Sequence, residues 1–361
     1  MFETDTIQVK KTGNVDSISD SMAEKPRTEI SMYLKNVLGD DVAKRLSWVK
    51  TKERSDLALL PGDYSGLGNR HRINDVKQIN KFLESANSVL GRGQYLVINL
   101  ETKRARAKRI IKKYPKPISV PYYGLDFILK RVFPKLGLTK KLYFKLTNGR
   151  NRVLSLTEGL ARLVSCGFEI VDFKTIGYRT HIIARKVSEP VYDMNASYGL
   201  LIKLRRVGKN GKLFDVYKIR TMHPYSEYLQ DYIYEMNDLD EGGKIKNDIR
   251  MTKWGMFFRK YWIDELPMFI NYFKREMKLV GVRPLSQHYF NLYPEDLREL
   301  RTKIKPGLVP PYYADMPNGL DEIQESERRY LKAYMEKPIR TDIWYFFKAF
   351  YNILFKGARS K

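Results

Sequence analysis

GLLIKLRRVGKNGKLFDVYKIRTM, residues 199–222, is the stretch from which the architecture of the second half of the chain is read. Two runs that alternate apolar and polar residues flank the break GKNGK. Alternation at period two marks strands with one buried face, and a short glycine-bearing break between them marks a hairpin. Gly208 and Gly211 fall in the turn. Lys218 and Arg220 stand two apart on the second strand, so both point to one face. Two cations there suit the grip of a pyrophosphate, and equally a strand side turned to water.

Downstream lies RMTKWGMFFRKYWIDELPMFINYFKREM, Arg250–Met277. Leu266, Phe269, Ile270 and Phe273 follow i, i+3, i+4, i+7, which predicts a helix over 262–277; a further helix is predicted over 226–239. Pro267 belongs in a first turn, which puts Asp264 near the N-cap. Asp264 and Glu265 then share the positive end of the helix, a place for nucleophilic attack, metal binding or plain capping. KLVGVRP, Lys278–Pro284, reads as a strand entering a turn. The residue before a proline is held extended, so Arg283 sits on stiff backbone with a guanidinium matched to phosphate oxygens. KIKPGLVPPYY, Lys303–Tyr313, is a rigid Pro/Gly turn. In DIWYFFKAFYNILFKG, Lys348, Asn352 and Lys356 form one narrow polar stripe on an otherwise aromatic and aliphatic helix, which favours a bilayer interface over a core.

Upstream, residues 1–28 read as a flexible arm, 29–187 as an α/β domain and 188–198 as a linker before the domain at 199–361. SDLALL (Ser55–Leu60) and QYLVINL (Gln94–Leu100) read as buried strands, with a helix from Asn74, as N-cap, to Gly91 between them. SLTEGLARLVSCGF opens with a capping box at Ser155 and Glu158 and stops at Gly167. EIVDFKTIGYRTHIIARKV reads as two antiparallel strands.

The 361 residues hold 66 Lys plus Arg against 41 Asp plus Glu, a net charge of +25. That balance asks for an anionic partner. Residues 101–153 alone hold 16 Lys or Arg and two acids, Glu101 and Asp126. The apolar and aromatic residues that follow KRARAKRIIKKYPK suit a lipid surface best, ahead of a solvated basic face or a nucleic acid. No groove-reading or base-stacking motif is present, so nucleic acid is not an expected partner. A single cysteine, Cys166, excludes a disulfide framework and a thiolate-rich metal site. No apolar run reaches the ~18–20 residues of a spanning helix.

Taken together and in order, these segments resemble the bacterial sugar transferase family, the phosphoglycosyl transferases that begin polysaccharide repeat units. The resemblance rests on Arg206-x-Gly-x-x-Gly followed by Tyr217-Lys218-x-Arg220-x-Met222. It continues with Asp248-x-Arg250, Thr252, Gly255 and Arg259, then Asp264-Glu265-Leu266-Pro267. It ends with Leu279-Val280-Gly281-x-Arg283-Pro284 and Lys305-Pro306-Gly307. It implies transfer of a sugar 1-phosphate from a UDP-sugar to polyprenyl (undecaprenyl) phosphate, with release of UMP. Asp264 would be the nucleophile, Asp264 and Glu265 the Mg²⁺ ligands, and Lys218, Arg220, Arg259 and Arg283 the phosphate-binding cations. No organic cofactor is implied. The implied place is the cytoplasmic face of the membrane, where other glycan-assembly enzymes are possible partners. Three departures stand out. SEPVYDMNASYG occupies the place of the family's apolar re-entrant helix, VPPYYADMPNG follows Lys305-Pro306-Gly307, and Glu327 stands near the place of a later family aspartate. They motivate the alternative of a non-catalytic, membrane-surface relative.

The first region resembles the second half of a class I methyltransferase fold, that is, a degenerate Rossmann-like domain. The glycine-rich loop of a methyl-donor site is not found; LLPGDYSGLGNRHR lies elsewhere and lacks the spacing. Docking rather than methyl transfer is therefore expected. The fold expected overall is α/β, this domain preceding an α+β transferase domain with an amphipathic C-terminal helix.

Overall fold

The apolar run QYLVINL becomes a strand, Tyr95–Leu100, in which every residue after Tyr95 is buried. The computed structural model containing it describes residues 17–59, 64–192, 199–230, 232–233, 239–240, 244–245 and 248–358. The chain separates into two units, Met1–Met194 and Asn195–Lys361. In the first, five strands form one sheet: β1 (Leu46–Val49), β2 (Gly66–Arg72), β3 (Tyr95–Leu100), β4 (Phe168–Ile176) and β5 (Arg179–Lys186). Their order is β1-β2-β3-β5-β4. β1, β2 and β3 are parallel, and β5 runs antiparallel to both β3 and β4. Both faces are covered, which is why β3 is continuously apolar. Val97 and Ile183 pack with Tyr33 and Leu34 of the helix Ser17–Leu38. On Gly159 of the helix Leu156–Ser165, an added Cβ would sit 3.3 Å from Leu100.

Several sequence expectations change here. The Ser17–Leu38 helix takes in residues 17–28, read as arm; residues 1–16 lie outside the described residues. Most of SDLALL is a 3₁₀ turn, Ser55–Leu59, and the second strand comes from GLGNRHR instead. Its glycines serve packing: a Cβ on Gly66 would lie 2.3 Å from the Tyr95 carbonyl oxygen, and one on Gly68 would lie 2.5 Å from the Trp48 ring. Asn74 does not cap a helix. The helix runs Ile79–Val89, while the Asn74 amide donates to the carbonyls of Glu101 and Arg152. Ser155 does cap, its Oγ accepting from the Glu158 N–H at 3.1 Å. The Glu158 carboxylate, however, binds Arg131, Arg162 and Lys135.

The basic stretch folds as the helices Lys103–Lys113, Lys116–Phe127 and Gly137–Thr147 with short turns between. Part of its charge is internal. Arg106 is buried and pairs with Asp126 at 2.6 Å and Glu101 at 3.2 Å. Glu101 also binds Arg72 and Arg109. Arg104, Lys108, Lys112, Lys113, Lys116, Lys141 and Lys145 remain exposed. Beside them Leu138, Leu142 and Leu146 stand at i, i+4, i+8 with Leu138 95% exposed.

The second unit opens with the expected hairpin, β6 (Leu201–Val207) and β7 (Leu213–Ile219), antiparallel with Ile202 opposite Lys218. Asn210 takes a left-handed φ of 57° in the turn. A parallel pair, Lys278–Val280 with Gly307–Val309, follows. There the backbones touch so closely that a Cβ on Gly307 would lie 2.1 Å from the Gly281 nitrogen, which accounts for glycine at both motif positions. The main core gathers Val280, Val282, Leu297, Tyr313, Tyr330 and Tyr345 around this pair. The helices Leu320–Glu336 and Pro338–Phe355 complete the unit.

The helix expected over 226–239 opens as a 3₁₀ turn at Ser226–Leu229 and is α-helical at residues 230 and 232–233, while Leu239–Asp240 are extended; residue 231 and residues 234–238 lie outside the described residues. That expected over 262–277 is a 3₁₀ segment, Ile263–Met268, followed by one short α-helix, Phe269–Phe273. No described helix is long and apolar enough to cross a membrane.

Candidate active site

The helix Lys253–Lys260 starts at Thr252, whose Oγ1 accepts from the Gly255 N–H at 2.8 Å and donates to the Thr221 carbonyl at 2.9 Å. Gly255 lies against that same carbonyl, where a Cβ would come within 1.9 Å of the oxygen. The helix is thus seated directly on the exit of β7. It ends at Tyr261, and Trp262 turns the chain with a left-handed φ of 55°. A bulky residue pays for that conformation with ~1–3 kcal/mol. The Trp262 indole N–H donates to the Tyr313 hydroxyl at 2.9 Å, and the two rings meet edge to face at 6.0 Å.

This sharp turn places Asp264 second in the Ile263–Met268 segment, not at its cap. Asp264 points inward and is 8% exposed. Burial, then the adjacent Glu265 carboxylate, push its carboxyl above the usual carboxylate value against the pull of Lys218 and Arg259. Glu265 accepts from Lys218 Nζ at 2.6 Å, and Arg283 Nη2 lies 4.0 Å from the same oxygen. Arg259 donates from Nε to Thr221 Oγ1 at 3.1 Å, and its guanidinium senses Asp264, Asp248, Arg283 and Arg250. Arg250 and Asp248 form a two-point ion pair, Nε to Oδ1 at 2.9 Å and Nη2 to Oδ2 at 2.8 Å.

Of the residues singled out from sequence, Asp264, Glu265, Lys218, Arg259 and Arg283 therefore come together. Arg220 lies one residue past β7, its Nε donating to the Gly199 carbonyl at 3.0 Å. Buried Asn271 ties β7 to the helix behind the dyad. Its amide donates to the Asp215 carbonyl at 2.7 Å, and its oxygen accepts from the Tyr217 N–H at 3.1 Å.

Other contributors escaped the sequence reading. Arg301 Nη2 donates to the Arg283 carbonyl at 2.5 Å and Arg301 Nη1 pairs with buried Glu327, so Glu327 steadies Arg283 from behind. Tyr312 accepts from Arg283 Nη1 at 3.4 Å. These contacts join residues 18 to 51 positions apart, beyond the reach of any local pattern. Among the described residues, no group of three or more His, Cys, Asp or Glu could hold a metal. The Asp264–Glu265 pair is still a fitting donor set for Mg²⁺, which takes one or two carboxylates and fills its octahedron with water and substrate phosphate.

The bacterial sugar transferase family model matches residues 187–356. The uncharacterized sugar transferase EpsL of Bacillus subtilis is 30% identical over 194 residues, covering 54% of this chain and 76% of EpsL. The chain belongs to the bacterial sugar transferase family. The UDP-glucose:undecaprenyl-phosphate glucose-1-phosphate transferase of Escherichia coli is 28% identical over 164 residues, 45% of this chain and 33% of that protein. Of six other curated relatives that it resembles, this family member spans from 25% to 48% of their length. An O-methyltransferase family structure from Burkholderia thailandensis aligns with 47% of the chain and 41% of its own at 14% identity; its TM-score of 0.22 lends the first unit no assignment.

Proposed function

We propose that the second unit moves a sugar 1-phosphate from a UDP-sugar to polyprenyl phosphate. The observation that carries this reading is a buried carboxylate, Asp264, beside Lys218 and Arg259, with Arg283 at 4.0 Å from the adjoining Glu265, so that three separate motif segments converge. The Asp264 carboxylate attacks the sugar-bearing phosphorus, a bond forms to its oxygen, and the diphosphate bridge breaks to release UMP. A polyprenyl phosphate oxygen then attacks the same phosphorus, yielding the polyprenyl diphosphosugar and freeing the carboxylate. Lys218, Arg259 and Arg283 neutralise the charge that gathers on the phosphate oxygens, the dominant need in phosphoryl transfer. Arg220 is one strand step from Lys218 and serves the same diphosphate. Asp264 and Glu265 would hold a Mg²⁺ ion, which would supply further charge neutralisation.

The test is UMP release by purified protein from a panel of UDP-sugars with undecaprenyl phosphate and Mg²⁺. Release from at least one sugar, abolished in Asp264→Asn, is expected. Undiminished release in that variant would falsify the covalent route.

The same reading places the protein on the cytoplasmic face of the membrane, against anionic lipid. The terminal helix Pro338–Phe355 supports it because Asn352, of its polar stripe, faces inward while large apolar side chains face out. Buried Asn352 donates to the carbonyls of Tyr313 at 3.1 Å and Ala314 at 2.8 Å, and Lys348 reaches Asp315 at 3.4 Å. Ile343, Phe347, Phe350 and Leu354 face outward. The exposed cations of residues 103–147, with Leu138, Leu142 and Leu146 beside them, support it as well.

A further inference from the structure

Two neighbouring tyrosines in the segment after Lys305-Pro306-Gly307 reach both halves of the candidate catalytic constellation. We propose that Tyr312 and Tyr313 are positioning residues for the donor diphosphate: Tyr312 sets the Arg283 guanidinium, and Tyr313, through Trp262, sets the turn bearing Asp264 and Glu265. The proposal rests on the phosphoglycosyl transferase reading of the site.

Arg283 has a side chain that is 39% exposed and is drawn toward Glu265 at 4.0 Å. Glu265 is already neutralised by Lys218 at 2.6 Å. An arginine free to swing would settle on that carboxylate and spend its N–H groups there. The Tyr312 hydroxyl, accepting from Nη1 at 3.4 Å, holds the fork from another side. A neutral phenol positions the guanidinium without cancelling its charge, and so leaves that charge for phosphate oxygens.

Tyr313 acts on the other half. It is buried, and its hydroxyl accepts from the Trp262 indole at 2.9 Å. Trp262 is the left-handed residue that reverses the chain two positions before Asp264. Releasing that indole lets a strained backbone relax, and the carboxylate two residues on moves with it. Both tyrosines are themselves fixed. Their rings touch at 4.7 Å, Pro310 and Pro311 stiffen the approach, and Asn352 clamps the Tyr313 and Ala314 carbonyls.

The experiment compares full-length wild type, Tyr312→Phe and Tyr313→Phe by UDP titration calorimetry and by steady-state UMP release, with melting curves to verify folding. Tyr312→Phe is expected to weaken UDP binding and raise KM for the UDP-sugar by about tenfold, the size of one charge-assisted hydrogen bond, with kcat near wild type. Tyr313→Phe is expected to lower kcat by a similar factor and leave UDP affinity unchanged. This opposite split is what a merely structural role does not produce. Equal losses in both parameters for both folded variants, or no change in either, overturn the proposal. A wild type that binds UDP but releases no UMP defeats the catalytic reading alone. The calorimetry then still decides for Tyr312, since unaltered UDP affinity in Tyr312→Phe overturns its role.

Discussion

On the proposed covalent route Asp264 attacks phosphorus as the carboxylate, yet burial and Glu265 both raise its pKa. Turnover therefore rises with pH through a pKa above the ordinary carboxylate value. Lys218 is one of the charges that pull that pKa down, so Lys218→Met is expected to move the acid limb of the kcat/KM profile to higher pH. A limb that stays put or moves lower contradicts this assignment. The same shift bears on stability. A carboxyl whose folded-state pKa is raised binds its proton more tightly folded than unfolded, so stability falls as pH rises through the window between the two values. Asp264→Asn is thus expected to melt higher than wild type at pH 7, with the gap closing as the pH falls below ordinary carboxylate values. At this scale the sequence exposed the dyad and its cations because motif order and spacing are local. It hid Tyr312, Trp262, Arg301 and the steadying part of Glu327, since nothing local marks which distant side chain meets a given guanidinium.

Among elements, the seating of the Lys253–Lys260 helix on Thr221 decides where the dyad turn begins. Gly255→Ala forces a methyl against the Thr221 carbonyl, a clash that only backbone movement relieves. We expect a loss of ~1–3 kcal/mol in chemical denaturation, the range for overpacking, together with reduced turnover because Arg259 rests on the same threonine. Full stability in that variant would mean that the helix is not held by this approach. Element legibility was uneven for a physical reason. The hairpins and β3 have strong period-two or continuous apolar signals. The stripe Leu266, Phe269, Ile270, Phe273 was correctly periodic, but its residues are exposed, and the segment begins as a 3₁₀ turn. Periodicity reports that one face is apolar without saying what covers it. SDLALL misled because a four-residue apolar run fits a turn that buries Leu57 as well as it fits a strand.

Within the +25 charge, three groups of cations stand out among the described residues. Some are internal counter-ions, such as Arg106 and Arg131. Some line the dyad, and others, in residues 103–147, are exposed beside apolar side chains. The last group leads to a vesicle test. The full chain is expected to sediment with anionic vesicles and much less with neutral ones, because interfacial cations contribute about 1 kcal/mol each. Phe347, 66% exposed, and Leu354 are outward positions on the terminal helix, so Phe347→Glu with Leu354→Glu should reduce sedimentation at least tenfold at an unchanged melting midpoint. Equal sedimentation of the variant, or equal binding to neutral vesicles in high salt, would sink the membrane reading. Composition pointed to an anionic partner. It could not separate internal from external charge, because that division is made by tertiary pairing.

The inward Asn352 of the terminal helix has a geometric corollary. It bolts the helix to the body that carries the dyad, so on a membrane the helix would be a keel rather than a tether. Eighteen residues make a rail of about 27 Å. A body riding on such a rail keeps freedom to glide and to spin about the bilayer normal, while its pitch and its height over the leaflet are set by the fold. Every carrier lipid would then present its phosphate to Asp264 at the same altitude.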